Sequence, residues 1–265
     1  MNEPTTPTPH DLKSAPAGSQ PAASRDASQT ERAILGLRDA VLRGHFVPGE
    51  RLSEVEVAEH LGVSRTPIRA AMQRLAEEGL LDAAQPSGYV VRVFSQHDIA
   101  DAIEVRGTIE ALAARLAAER GVSRFVLQQM RDCVERLDAT VDSDLPEIEK
   151  LEQYAVFNGR LHDLILEASA SSMVQRALLR VASMPFASPN AFVIAQAVLP
   201  GSQMNMKLAQ MQHHDIVDAI EARAGARVEA LVKEHSRIAQ KNLELALRNT
   251  DALDRIVGAA LIQRA

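Results

Sequence analysis

The sequence predicts a mainly α protein: a winged helix-turn-helix domain followed by an all-helical bundle of six or seven helices. Two observations lead there. Aromatic residues make up 3% of the chain and tryptophan is absent, while Ala, Leu, Glu and Arg abound, a composition that favours helices packed by aliphatic side chains over sandwiches or barrels. Apolar residues also recur at helical spacing along most of the chain, with strand-like runs confined to residues 80–93. At 265 residues and 46% apolar content the chain can bury two ordinary cores. A single cysteine, Cys133, excludes a disulfide scaffold. With no apolar run of membrane-spanning length and no leader-like amino terminus, a cytoplasmic protein is expected. A net charge of −6 means that any contact with nucleic acid must be local.

Residues 1–28 carry five of the twelve prolines amid Ser, Thr and Ala, and read as a disordered tail. From Glu31, the residues Ile34, Leu37, Val41 and Leu42 mark a first helix ending near Gly44, before the Pro48-Gly49 turn. Ser53 with Glu56 three residues on has the form of a capping box for a second helix, which stops at Gly62. Ser64 is a candidate cap for a third, opened by Arg65-Thr66-Pro67 and closed at Gly79. On that third helix Ile68, Met72 and Leu75 share one face, and Arg65, Thr66, Arg69 and Gln73 fall on an adjoining sector. No acidic residue occurs between Ser64 and Ala76, although residues 31–92 hold 8 basic against 9 acidic side chains. The basic face therefore belongs to this helix alone. Two short strands then flank Gln85-Pro86-Ser87-Gly88, giving the wing.

The motifs Pro48-Gly49-Glu50-Arg51-Leu52-Ser53-Glu54, Leu61 to Arg69 and Leu75 to Leu80 resemble the DNA-binding domain of the GntR family of transcription regulators. The resemblance spans about residues 30 to 94. It implies a recognition helix in the major groove, arginines at 65 and 69 on bases or phosphates, and the wing at the minor groove. The expected DNA contacts are Ser64, Arg65, Thr66, Arg69 and Gln73, with Gly88 in the wing. Some relatives carry a further arginine where this chain has Val55, which bears on base preference and not on binding mode. The plainer alternative is a small helical domain whose arginines are solvated or bind protein.

From Asp98 onward only helical runs are read, in a domain expected over residues 97–250 with a C-terminal helix or tail over 251–265. On the predicted helix 147–168, Asn158 and His162 lie four apart on the apolar face with Leu161 and Ile165. His213 aligns with Ile216, Val217 and Ile220, and His235 with Val228, Leu231 and Ile238. Three imidazoles facing inward from three helices suit a divalent transition metal, zinc first, with nickel or manganese as alternatives. His214 is turned toward solvent.

The opening from Asp98 to Ala114 resembles the FCD effector domain of the FadR subfamily, over about residues 97 to 248. That resemblance implies a metal set of Asp or Asn, His four residues later, and two further His; here Asn158, His162, His213 and His235. It also implies sensing of a small organic acid. An amide at 158 brings no charge, so a bound ion would attract a carboxylate. Hydrogen-bonded core histidines, or an anion site without metal, are the alternatives. Arg106 is a candidate clamp for that carboxylate, against an internal ion pair with Glu110. Cys133 reads as filling, and Met204, Met206 and Met211 as packing or pocket lining. Residues 185–200 read as a helix between loops, with no role assigned.

Such a protein is expected to bind a palindromic double-stranded operator as a homodimer, as an acid-responsive repressor. A metal-dependent hydrolase is the second reading, disfavoured because the helical wheel places no inward carboxylate beside the histidines. The third is a constitutive DNA-binding protein.

Overall fold

A computed structural model of the chain describes residues 22–184, 186–199 and 202–263. The first helix, α1, runs Ala22–Leu42. Residues 1–21 of the expected tail lie outside the described residues, and residues 22–28 are helical. That stretch follows the last proline of the tail and holds three alanines and an arginine, residues of high helix propensity. Ala33, Leu37, Ala40 and Val41 are the buried face of α1.

Strand β1 (Arg51–Leu52) leads into α2 (Glu54–Leu61). Ser53 caps α2 by accepting from Glu56 N at 3.2 Å, and Gly62 ends it with φ +65°, a left-handed conformation that suits glycine. Helix α3 (Arg65–Glu77) buries Ile68, Ala71, Met72 and Leu75 against α1 and α2. Ser64 holds the N-cap position of α3, but its side chain makes no capping hydrogen bond. The wing has one strand more than the sequence reading gave: β2 (Leu81–Ala83) and β3 (Tyr89–Val91) pair antiparallel, and β1 joins on the other side, in the order β1-β3-β2. Glu78 closes the domain from below by accepting from both Arg38 and Arg74.

The remaining helices are α4 (Gln96–Arg120), α5 (Arg124–Val141), α6 (Glu147–Ala168), α7 (Ser172–Ala182), α8 (Ser202–Glu221), α9 (Gly225–Leu247) and the short α10 (Thr250–Leu253). None is long and apolar enough to cross a membrane. Helix α4 starts in a capping box between Ser95 and Asp98 and packs along α9. Gly107 makes that crossing close: a Cβ there would lie 2.3 Å from Ser236 Oγ.

Where one helix was expected over 185–200, the described residues form turns and a short 3₁₀ helix, Ile194–Val198. Phe186, Phe192, Val193 and Gln196 of this strap are buried. Phe186 stacks on Phe192 with ring centroids 6.5 Å apart, and meets Phe94 edge-on at 5.4 Å. The C-terminal segment turns back through a second 3₁₀ turn, Ala259–Leu261. It hydrogen-bonds the connector between wing and bundle: Phe94 N donates to Leu261 O and Gln263 N to Phe94 O, each at 2.8 Å. One apolar cluster thus runs from α1 and α3 through Phe94, Phe186 and Phe192 to Ile256 and Leu261. A second fills the bundle between α4, α5, α6, α8 and α9.

Candidate functional site

On α3 the side chains of Arg65, Thr66, Arg69 and Gln73 are exposed, as are Ser64 before the helix and Gly88 in the wing turn. The face opposite them is sealed against α1 and α2. Arg69 does not project freely. Its Nε and Nη2 donate to the two carboxylate oxygens of Glu54 at 2.7 and 3.0 Å. That pairing holds the Glu54 carboxyl below its usual range, through the hydrogen bond first and the guanidinium charge beside it. The partner lies 15 residues upstream on another helix, out of reach of wheel reasoning on α3. At the wing, Arg51 donates to the carbonyls of Gln85 and Ser87 and so braces the turn that carries Gly88.

Inside the bundle the three inward histidines meet. One ring nitrogen from each of His162, His213 and His235 falls within 4.8 Å of the others. The hydrogen bonds around them orient the rings. Gln210 donates its amide to Val134 O at 2.9 Å and to Asp138 Oδ1 at 2.8 Å, so its oxygen, 3.0 Å from His213 Nδ1, must accept. His235 Nδ1 lies 3.1 Å from Gln212 Oε1, and His162 Nδ1 lies 3.2 Å from Glu110 Oε1. Against Gln210 and the Glu110 carboxylate, which accept, the Nδ1 atoms of His213 and His162 donate outward.

His213 Nε2 and His235 Nε2 face each other at 3.2 Å. Nitrogens bonded at about 2.0–2.1 Å to one tetrahedral zinc sit about 3.3–3.4 Å apart, so the donor set fits such an ion. Burial, and then the charge of His162, lowers the pKa of His235 to about 3. Burial with the neighbouring imidazoles takes His213 well below the usual range. Both rings are neutral at pH 7, the form that ligates.

Asn158 is buried one turn before His162. Asn190 orients it: Asn190 Nδ2 donates to Ala155 O at 2.9 Å, which leaves Asn190 Oδ1 to accept from Asn158 Nδ2, also at 2.9 Å. The Asn158 oxygen is thereby the end left for a ligand. Asn190, in the strap, escaped sequence reading because no periodicity marks it.

One expectation is corrected here. A buried carboxylate does adjoin the histidines, Glu110, which the wheel of α6, α8 and α9 could not reveal because it stands on α4, 52 residues from His162. Burial would raise its pKa, but Arg106 and His162 outweigh that and hold it at about 2. Arg106 is 2% exposed, and its Nη1 lies 3.6 Å from Glu110 Oε2. The ion pair is present, yet Arg106 Nε and Nη1 have no hydrogen-bond partner. Arg106, Asn158, His162 and His235 line one cavity of about 40 Å³ with Phe192 and Gln196 of the strap, room for an ion and a few water-sized groups. Met206 lines it as well, while Met204 and Met211, read as packing or lining, are exposed. His214 bonds Asp138 at 2.9 Å on the surface.

Residues 29–91 match the family model described as bacterial regulatory proteins, gntR family, and residues 101–237 match the FCD domain. The Nta operon transcriptional regulator of Aminobacter aminovorans is 38% identical over 41% of this chain and 51% of its own length, so the chain spans about half of that relative. A probable D-xylose utilization operon transcriptional repressor of Paenarthrobacter nicotinovorans is 25% identical over 69% of this chain and 74% of its own. Among solved structures, Escherichia coli McbR/YncC shares the fold with a TM-score of 0.53 at 20% identity, over 82% of this chain and 95% of that one.

Proposed function

The chain belongs to the gntR family of bacterial regulatory proteins and carries an FCD domain, and from that premise we propose that it is a ligand-responsive repressor. It binds a palindromic operator as a homodimer, with Ser64, Arg65, Thr66, Arg69, Gln73 and Gly88 toward the DNA, and a small carboxylic acid in the bundle cavity alters that binding. The observation that carries the sensing half is the convergence of three imidazoles from three helices, one ring nitrogen of each within 4.8 Å of the others. Asn158, His162, His213 and His235 would hold a divalent transition ion, zinc first and nickel or manganese as alternatives; when bound, the ion supplies positive charge that attracts an anion. Arg106 adds two unpartnered donors on the wall of the same cavity.

The strap supplies a route outward. Phe192 on the cavity wall touches Phe186, Phe186 touches Phe94, and Phe94 follows the wing. An acid whose affinity differs between two arrangements of this chain of contacts shifts operator binding. Repression agrees with relatives named as repressors. The hydrolase reading gains a carboxylate in Glu110 but no base. With a pKa of about 2, and committed to His162 and Arg106, Glu110 cannot take a proton effectively near neutral pH.

A thermal-shift screen of carboxylic acids on the full chain, with and without chelator, tests the proposal, because binding to the folded form alone raises the apparent stability. The expected result is that some acids raise Tm only without chelator and change operator affinity over the same concentration range. Operator affinity indifferent to every acid and to chelation would leave a constitutive DNA-binding protein.

A further inference from the structure

The C-terminal segment, residues 250–263, touches both halves of the molecule. Helix α10 lies against α9 and the 3₁₀ helix of the strap. The chain then crosses to the DNA-binding domain, where Gly258 reaches Leu42 of α1 and Ala260 reaches Gly44 in the turn that follows. We propose that this segment is a clasp that fixes the pose of the DNA-binding domain on the bundle, and so sets the spacing of the two recognition helices in an operator-bound dimer. This rests on the homodimer reading above and adds the element that orients its two DNA-binding domains.

Both sides of the contact are shaped for close approach. A Cβ on Gly44 would lie 2.9 Å from Ala260 Cβ, and a Cβ on Gly258 would lie 3.0 Å from Leu42 Cδ2 and 3.5 Å from Phe186 Cζ. The two glycines hold φ of +74° and +84°, so each serves its backbone and the space it leaves. Ile256, Leu261 and Ile262 are buried in the cluster that also holds Leu37 and Val41 of α1 and Phe186 of the strap, which removes apolar surface of both halves from water together. The connector is gripped at one residue. Phe94 donates its N–H to Leu261 O and accepts from Gln263 N. Its ring meets Phe186 edge-on and lies 4.8 Å from the guanidinium of Arg92, which pairs with Asp98 at the start of α4. A tail that only filled a core would lean on one half, whereas this one spans the joint, and its residues lie beyond the 101–237 matched by the FCD domain. A free connector would let each recognition helix wander and would lower the effective concentration of the second at its half-site; a fixed pose keeps it high.

Gly44→Asn tests the clasp. Asparagine tolerates the left-handed turn, but its Cβ strikes Ala260, and adding Ala260→Gly removes the atom it strikes. Two readouts on the full chain are compared. One is amide hydrogen exchange at Phe94 and Gln263. The other is anisotropy titration of two duplexes, the palindrome that the wild type selects from a random-sequence library and the same duplex with one half scrambled. In Gly44→Asn both amides are expected to exchange faster and the palindrome to bind at least about tenfold more weakly, with the half-site duplex within about threefold of wild type; Gly44→Asn with Ala260→Gly regains both. Gln263→Pro, which removes one of the two backbone donors, takes its place should Gly44→Asn not fold. Faster exchange with undiminished palindrome affinity would overturn the inference. So would an equal loss on both duplexes, exchange unchanged in the variant, or a wild type whose Phe94 amide is unprotected. A wild type that binds the two duplexes alike would contradict the homodimer reading and this inference with it, and the exchange data would still tell that failure from an undocked segment.

Discussion

Arg69 is held by Glu54 in the free protein, so a base that takes both its donors must first separate a surface ion pair, which exposed pairs give up at small cost. Arg69→Ala is expected to weaken operator binding about tenfold to a hundredfold in a fluorescence anisotropy titration; unchanged affinity would strike Arg69 from the contact set. The buried imidazoles give a second prediction, of stability against pH. His213 and His235 bind protons less readily folded than unfolded, so their contribution is complete above about pH 6.5 and fades as pH falls toward 3. Glu110, depressed to about 2, adds a loss that begins only below its ordinary value of 4.5. Tm of chelated protein should therefore fall steadily once pH drops below about 6.5, and a flat profile from pH 7.5 to 5 would refute neutral buried rings. At this scale the sequence was legible where chemistry repeats at helical spacing, as in the four proposed ligands. It was silent on Glu110 and Asn190, whose importance comes from partners on other elements.

Among elements, the close crossing of α4 and α9 matters most, because it sets Arg106 beside His235. The crossing depends on Gly107, where a Cβ would collide with Ser236. Gly107→Ala is expected to destabilise the fold by roughly 1–3 kcal/mol through overpacking and to weaken zinc binding, both measurable by denaturant titration and calorimetry; a variant as stable as wild type with full zinc affinity would deny that crossing any role. Amphipathic periodicity made α3, α6, α8 and α9 readable from residues alone, because each buries one stripe. It could not reveal the strap, where Phe186, Phe192 and Gln196 are buried without a helical period, nor β1, whose two residues are too few to show alternation. The start of α1 was missed for another reason: the prolines that argue against order end at Pro21, and the alanines after them do not.

Across the whole molecule, one apolar cluster joins the cavity wall to the DNA-binding half through Phe192, Phe186 and Phe94, with the C-terminal segment clasped to the backbone of Phe94. The two-part plan was visible in the sequence because each half carries its own periodicity and motifs. The clasp was not, because 168 positions separate Phe94 from Ile262, which pair as an isolated parallel bridge. Phe186→Ala should keep acid affinity within about threefold while abolishing the effect of acid on operator binding, read by anisotropy with and without acid; an undiminished effect would place the coupling elsewhere. All of this depends on the histidine trio gathering a cation. Titrating zinc calorimetrically into chelated, untagged full-length protein, alongside His213→Gln, settles that. One saturable ion per chain, lost in the variant, is the expected result; no saturable uptake, or equal uptake by the variant, would mean that the three rings hold no metal.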